Sequence, residues 1–125
     1  MVEGPRILIG RHDSILLVGL RRVLADEGIE VAGHEEEPQR LIRAAASQQP
    51  DVVVLDLNDI GARDVADDVR RASPGSKVVL WARDETLMEV LDPGADAARV
   101  VVVAGPDTLR NELVALSEFS SRVKE

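Results

Sequence analysis

Pro50-Asp51-Val52-Val53-Val54-Leu55-Asp56-Leu57-Asn58 is the stretch that decides the fold. Four apolar residues follow a Pro-Asp entry, and a carboxylate stands where the run ends. A short unbroken run of this kind, rich in valine, predicts a strand buried on both faces. In an open parallel sheet, ligands and chemistry gather beyond the carboxyl ends of the strands. Asp56 would stand at that edge, on the central strand. The other strand ends can then be read by what they bring toward it.

Upstream, Arg6-Ile7-Leu8-Ile9 predicts a short strand closed by Gly10. Asp13 or Ser14 caps a helix that runs to about Glu27 and stops at Gly28. Leu16, Leu20, Val23 and Leu24 share its inward face, while Ile15 and Val18 face away as a candidate contact patch. The weak alternation of Ile29-Glu30-Val31-Ala32-Gly33 suits an edge strand. Glu35-Glu36-Glu37 precedes Pro38, which fits a first helical turn. Carboxylates there complement the helix dipole, so the triplet reads as a solvated helix start, not a metal site. That helix runs to about Gln49 with Leu41, Ile42 and Ala45 inward.

Downstream, Asp59-Ile60-Gly61-Ala62 is a loop, and a helix to about Arg71 turns Ala62, Val65, Ala66 and Val69 to one side. Ser73-Pro74-Gly75 is turn chemistry. Lys77 to Trp81 is a fourth strand, and a short helix is expected from roughly Asp84 to Leu91 before Asp92-Pro93-Gly94 breaks it. Arg99 to Val103 is a fifth strand. Pro106 or Asp107 opens a last helix that ends near 119–123 and buries Leu109, Leu113, Leu116 and Val123, with Phe119 on its flank. Five short-linked strand–helix units predict an α/β layer sandwich with right-handed crossovers.

The 125 residues read as one domain, 1–125, large enough for a real core. Aromatics make up 2%, so that core is aliphatic. A formal charge of −8 argues against gripping nucleic-acid phosphates with this domain. There is no cysteine, which excludes disulfide and thiolate chemistry. No signal-peptide core or membrane-length apolar run is visible, so a cytoplasmic location is the default expectation. No Walker-A motif, nucleophile elbow or dinucleotide fingerprint appears, and no enzymatic turnover or cofactor is expected. His12 and His34 are too few and too far apart for a transition-metal site.

Several framework stretches carry a resemblance: Ile7-Leu8-Ile9, Gly19-Leu20-Arg21-Arg22-Val23-Leu24, Pro50 to Asp56, Val78-Val79-Leu80 and Pro93-Gly94-Ala95-Asp96. From Arg6 to Leu116 the chain resembles the receiver domain of bacterial two-component response regulators, nearest to the NarL/FixJ subfamily. That resemblance implies a flavodoxin-like three-layer sandwich with five parallel strands in the order 2-1-3-4-5 and five helices. It also implies a phosphoacceptor at Asp56, an acidic pair after the first strand holding Mg²⁺, a Thr or Ser after the fourth strand, and a Lys after the fifth. Here the acidic pair falls on Arg11 and His12, the Thr/Ser position on Trp81, and the Lys position within Val101-Val102-Val103.

Mg²⁺ demands oxygen ligands, and phosphoryl transfer depends on stabilising developing charge. A guanidinium and an imidazole supply neither. The resulting expectation is an atypical pseudo-receiver that binds no metal and works in signal transduction and transcription regulation through protein–protein contact. Homodimerisation through Ile15, Val18 and Phe119 is the expected form. The subfamily usually adds a C-terminal DNA-binding domain, so a downstream domain or partner protein is a further expectation. Two alternatives stand beside this. The vacated pocket, lined by Arg11, His12, Asp56, Trp81 and Arg83, would hold an acidic or aromatic small molecule; or Asp56 would still accept phosphate by an unusual route. For Arg11 itself two readings stand. Its guanidinium locks onto Asp56 in place of the metal, or it points to solvent while Asp56 caps its own loop.

Overall fold

The fold is given by a computed structural model, which describes residues 6–11, 14–26, 28–82, 86–103, 108, 111 and 112, without the side chains of 14–16 and 23. Val52–Asp56 forms β3, an interior strand whose four apolar residues are all buried. The Pro-Asp entry anchors its start: Asp51 Oδ2 accepts the main-chain N–H of Arg6 at 2.8 Å. β1 (Arg6–Ile9) pairs with β3 in parallel, and β2 (Glu30–His34) pairs with β1 at the sheet's edge. On the other side β4 (Lys77–Trp81) lies parallel to β3, with Asp56 opposite Trp81.

The helices follow the apolar spacing. α1 (Ser14–Asp26) buries Leu20 and Leu24 against Ile7, Ile9, Val52 and Val54 on one face of the sheet. α2 (Pro38–Gln48) and α3 (Ala62–Ala72) cover the opposite face. α2 begins at Pro38, as its first-turn geometry requires. It buries Leu41 and Ala45, and α3 buries Ala62, Ala66 and Val69, each set forming one stripe at helical spacing. The Gln49 side chain then donates to Ala46 O at 2.9 Å and Ala72 O at 3.0 Å, clipping the two helix ends together.

The second half of the sheet departs from the expected five parallel strands. Leu87 to Leu91 is a strand, β5, where the sequence predicts a helix. It runs antiparallel to β4, and β6 (Arg99–Val102) runs antiparallel to β5, giving a six-stranded mixed sheet in the order β2-β1-β3-β4-β5-β6. The reason lies in a period of two. Met88 and Val90 are fully buried on the α1 face, while Leu87, Glu89 and Leu91 turn to the other. A helix confined to this short stretch would also have few internal bonds to hold it. Three helices, α1 to α3, are complete among the described residues, against the five expected. Thr108, Asn111 and Glu112 are helical, within the expected last helix; the rest of that segment, including Phe119, lies outside the described residues. The α/β class therefore holds, and the expected count and direction of strands do not.

β5 in place of a helix has a further effect. Val101 and Val103 pack on the α1-side core. On the opposite face α3 reaches β5 through Arg63, which bonds Glu89, while Val100 and Val102 are exposed.

Candidate functional site

Asp56 closes β3 at the carboxyl edge of the sheet and is half-buried. Its Oδ1 accepts the main-chain N–H of Asn58 at 2.9 Å, and its carbonyl accepts the N–H of Asp59 at 3.1 Å. An aspartate that turns the chain over itself in this way is an Asx turn. Gly61, at φ 77°, then allows the left-handed step into α3 that a side chain would resist.

Gly10 fixes the neighbouring loop. Its N–H donates to Val54 O at 2.8 Å. A Cβ there would lie 2.8 Å from Leu55 Cδ2 and 3.3 Å from Leu41 Cδ2, so a larger residue would require those leucine ends to shift. The chain emerges as Arg11, which is exposed. Arg11 and Asp56 line one cavity together with Glu36, Leu41, Leu55 and Asp59. Among the described residues no hydrogen bond or ion pair joins Arg11 to Asp56. The arrangement matches the reading in which Asp56 caps its own loop, and the lock is not formed.

The cavity holds about 20 Å³. That is room for about one water, against ~300–1,000 Å³ for ordinary small-molecule sites. Trp81, expected as its wall, is not among the lining residues. It is half-buried and packs on the α1 side against the cluster that includes Val54, Val79 and Val90. Of the five expected pocket residues, the structure brings together Arg11 and Asp56; His12 and Arg83 lie outside the described residues. The Ile15 side chain and Phe119 also lie outside them, whereas Val18 is 68% exposed on α1. His34 ends β2 with its Nε2 buried and without a hydrogen-bond partner.

The first strand delivers a guanidinium to this edge, and among the described residues no three His, Asp or Glu side chains gather closely enough to hold a metal.

At the opposite edge stands a charged network that the sequence reading does not anticipate. Lys77, at the start of β4, is buried and donates to both Glu112 O and Glu112 Oε1 at 2.8 Å. Arg99, at the start of β6, donates to Glu112 Oε1 at 3.0 Å and to Asp92 Oδ2 at 2.7 Å. The Arg99 hydrogen bonds hold the Asp92 carboxyl below its ordinary range. Burial pushes Glu112 up, but hydrogen bonds from Arg99 and Lys77 outweigh it and leave Glu112 lowered. Arg99 is raised by the same bonds. The network ties β4, β6 and the helical residue Glu112 together. Nothing in the sequence pairs residues 13 and 35 positions apart.

A parallel β2-β1-β3-β4 core, helices on both faces and an aspartate at the carboxyl end of β3 define a receiver-type α/β domain. Comparison with known proteins agrees. The chain is 23% identical over 122 residues to the transcriptional regulatory protein PdtaR of Mycobacterium tuberculosis, covering 96% of this chain and 58% of that protein. It is similar to the signal receiver domain of NarL from Mycobacterium tuberculosis, with a TM-score of 0.57 and 25% identity over 67% of this chain and 71% of that one. The fold is also that of the receiver domain of AraT, a response regulator from Geobacillus stearothermophilus, at a TM-score of 0.64 and 16% identity over 97% and 98% of the two chains. No protein-family model matches the chain. In sequence and fold the chain is similar to the receiver domains of response regulators, and it spans 58% of the length of PdtaR.

Proposed function

We propose that this receiver works without aspartyl phosphorylation, through protein–protein contact, with self-association as its form. The observation that carries the reading is that Arg11, which the resemblance aligns with a metal-binding carboxylate, lines the cavity at Asp56. A nucleophilic carboxylate attacking a phosphoryl group needs cations placed around the transferred oxygens. One exposed guanidinium, beside Glu36 and Asp59, is a poor substitute for a fixed divalent ion. Trp81 offers no hydroxyl to the site and is packed on the α1-side core. Asp56 then serves the architecture by turning its loop. The exposed Val18 on α1 offers a separate surface for contact with a partner protein. No turnover of its own is proposed for the domain. PdtaR is named as a transcriptional regulator, and a regulatory setting of that kind, in which the domain supplies contact to a partner protein or a further domain, is proposed for this chain.

The test is incubation with acetyl phosphate and Mg²⁺, followed by intact-mass spectrometry. The wild type is expected to remain unmodified. A phospho-adduct that disappears in Asp56→Asn would sink the reading and restore Asp56 as an acceptor.

A further inference from the structure

β6 is the last strand of the sheet, and among the described residues its outer edge has no neighbour. Its ladder with β5 is regular: Leu87 stands opposite Val102, Met88 opposite Val101, Glu89 opposite Val100 and Val90 opposite Arg99. The N–H of Val103 donates to Thr86 O at 2.7 Å, which sets the phase of the ladder. Hydrogen-bonded pairs alternate in an antiparallel ladder. Val101 and Val103 therefore turn their main-chain groups toward β5, and Val100 and Val102 turn theirs outward. The side chains of those same two residues are 62% and 65% exposed, with Leu87 beside them on the same face. Natural edges are guarded by proline, bulges or charges. β6 has no proline and no register break, and its one cation, Arg99, is bonded to Asp92 and Glu112.

We propose that β6 is the surface through which two copies of this chain associate, by antiparallel pairing across a two-fold axis. This rests on the self-association reading above and names its surface. The occupant follows from the main-chain pattern. Unpaired donors and acceptors at Val100 and Val102 are satisfied by the same two residues of a copy turned end for end. Val100 then faces the partner's Val102, Val102 faces the partner's Val100, and each pair exchanges both main-chain bonds. The exposed valines of both copies meet on one face of the joined sheet. Charge permits the approach: each copy carries a formal −8, yet β6 places no carboxylate at the seam. Arg63 covers Glu89 on the adjacent strand. The strip is narrow compared with the ~1,600 Å² of a standard interface, so the dimer is weak, formed at ~100 µM and not at nanomolar concentration.

Sedimentation velocity over roughly 10–300 µM should show a concentration-dependent dimer in the wild type. Val102→Pro removes an outward N–H without touching the β5 ladder, and Val100→Lys places a charge at the seam while keeping the backbone. Both should remain monomeric across that range, and Val18→Glu on α1 should still dimerise. In hydrogen exchange, the Val100 and Val102 amides of the wild type should gain protection as concentration rises. Dimers that persist in Val102→Pro and Val100→Lys would overturn the β6 assignment and leave self-association standing through another surface. So would unchanged exchange at both amides in a sample that does dimerise. A wild type that stays monomeric throughout would overturn both.

Discussion

Lys77→Met isolates the charged network at the amino end of β4. Methionine keeps an unbranched apolar stem, so packing changes little. What disappears is a pair of 2.8 Å bonds to Glu112, one to its carbonyl and one to its carboxylate. The Lys77 side chain is 5% exposed, so water cannot replace them. Hydrogen bonds to charged groups contribute about 1.5–3 kcal/mol, while methionine avoids the desolvation cost of a buried ammonium. Glu112 keeps Arg99 at 3.0 Å, so its carboxylate is not stranded. The balance is a loss of about 1–3 kcal/mol. Glu112→Gln removes the charge at the other end and should cost a similar amount. Because the pair is in direct contact, the double variant should cost less than the sum by ~1 kcal/mol or more. Urea denaturation of the four proteins at pH 7 measures this. Single losses that add within ~0.3–0.5 kcal/mol would show that the bonds hold nothing. The effect also has a pH signature. Asp92 and Glu112 are lowered in the fold, so the network's contribution is complete above the unfolded carboxyl range of about 4 and is lost as pH falls through the folded values. The gap between wild type and Lys77→Met should therefore narrow in acid.

The cavity at Asp56 gives two further expectations. Trp81 is the only tryptophan and lies opposite Asp56 across β3 and β4, so its fluorescence reports on that edge; it should show no saturable change with Mg²⁺ in the low-millimolar range that fills ordinary weak sites, ~10⁻³ M. Arg11→Ala and Asp56→Asn should be additive within ~0.3–0.5 kcal/mol by denaturation, since no bond joins the two side chains; a coupling of ~1 kcal/mol or more would show that the pair closes in solution.

α1 to α3 and the first four strands are legible because their signals are local. Pro38 and Gly61 punctuate α2 and α3, and the stripes Leu41–Ala45 and Ala62–Ala66–Val69 repeat at helical spacing. β5 is not legible in the sequence for a physical reason. Leu87-Met88-Glu89-Val90-Leu91 is too short for its period to be decisive, and Asp92-Pro93-Gly94 stops a helix and turns a strand equally well. What decides the matter is the open edge of β4, which β5 fills as an antiparallel neighbour, and no local window contains that information. At the site, the order of Gly10, Arg11 and Asp56 along the strand ends was readable, but whether Arg11 closes on Asp56 depends on side-chain geometry. The partnership of Lys77 with Glu112 depends on where the last helix docks, 35 residues away.

A helix lying on a sheet can slide by an ångström or two while its side chains exchange grooves. β5 has no such freedom. It is bonded to β4 on one edge and to β6 on the other. Shifting it means breaking both ladders at once or jumping by two residues, ~6.8 Å, because a one-residue slip would turn Met88 and Val90 out of the core. Where its relatives' resemblance implies a helix resting on the sheet, this domain carries a rivet. On the self-association proposed above, its response would follow mass action, reporting how many copies are present instead of which state each copy is in.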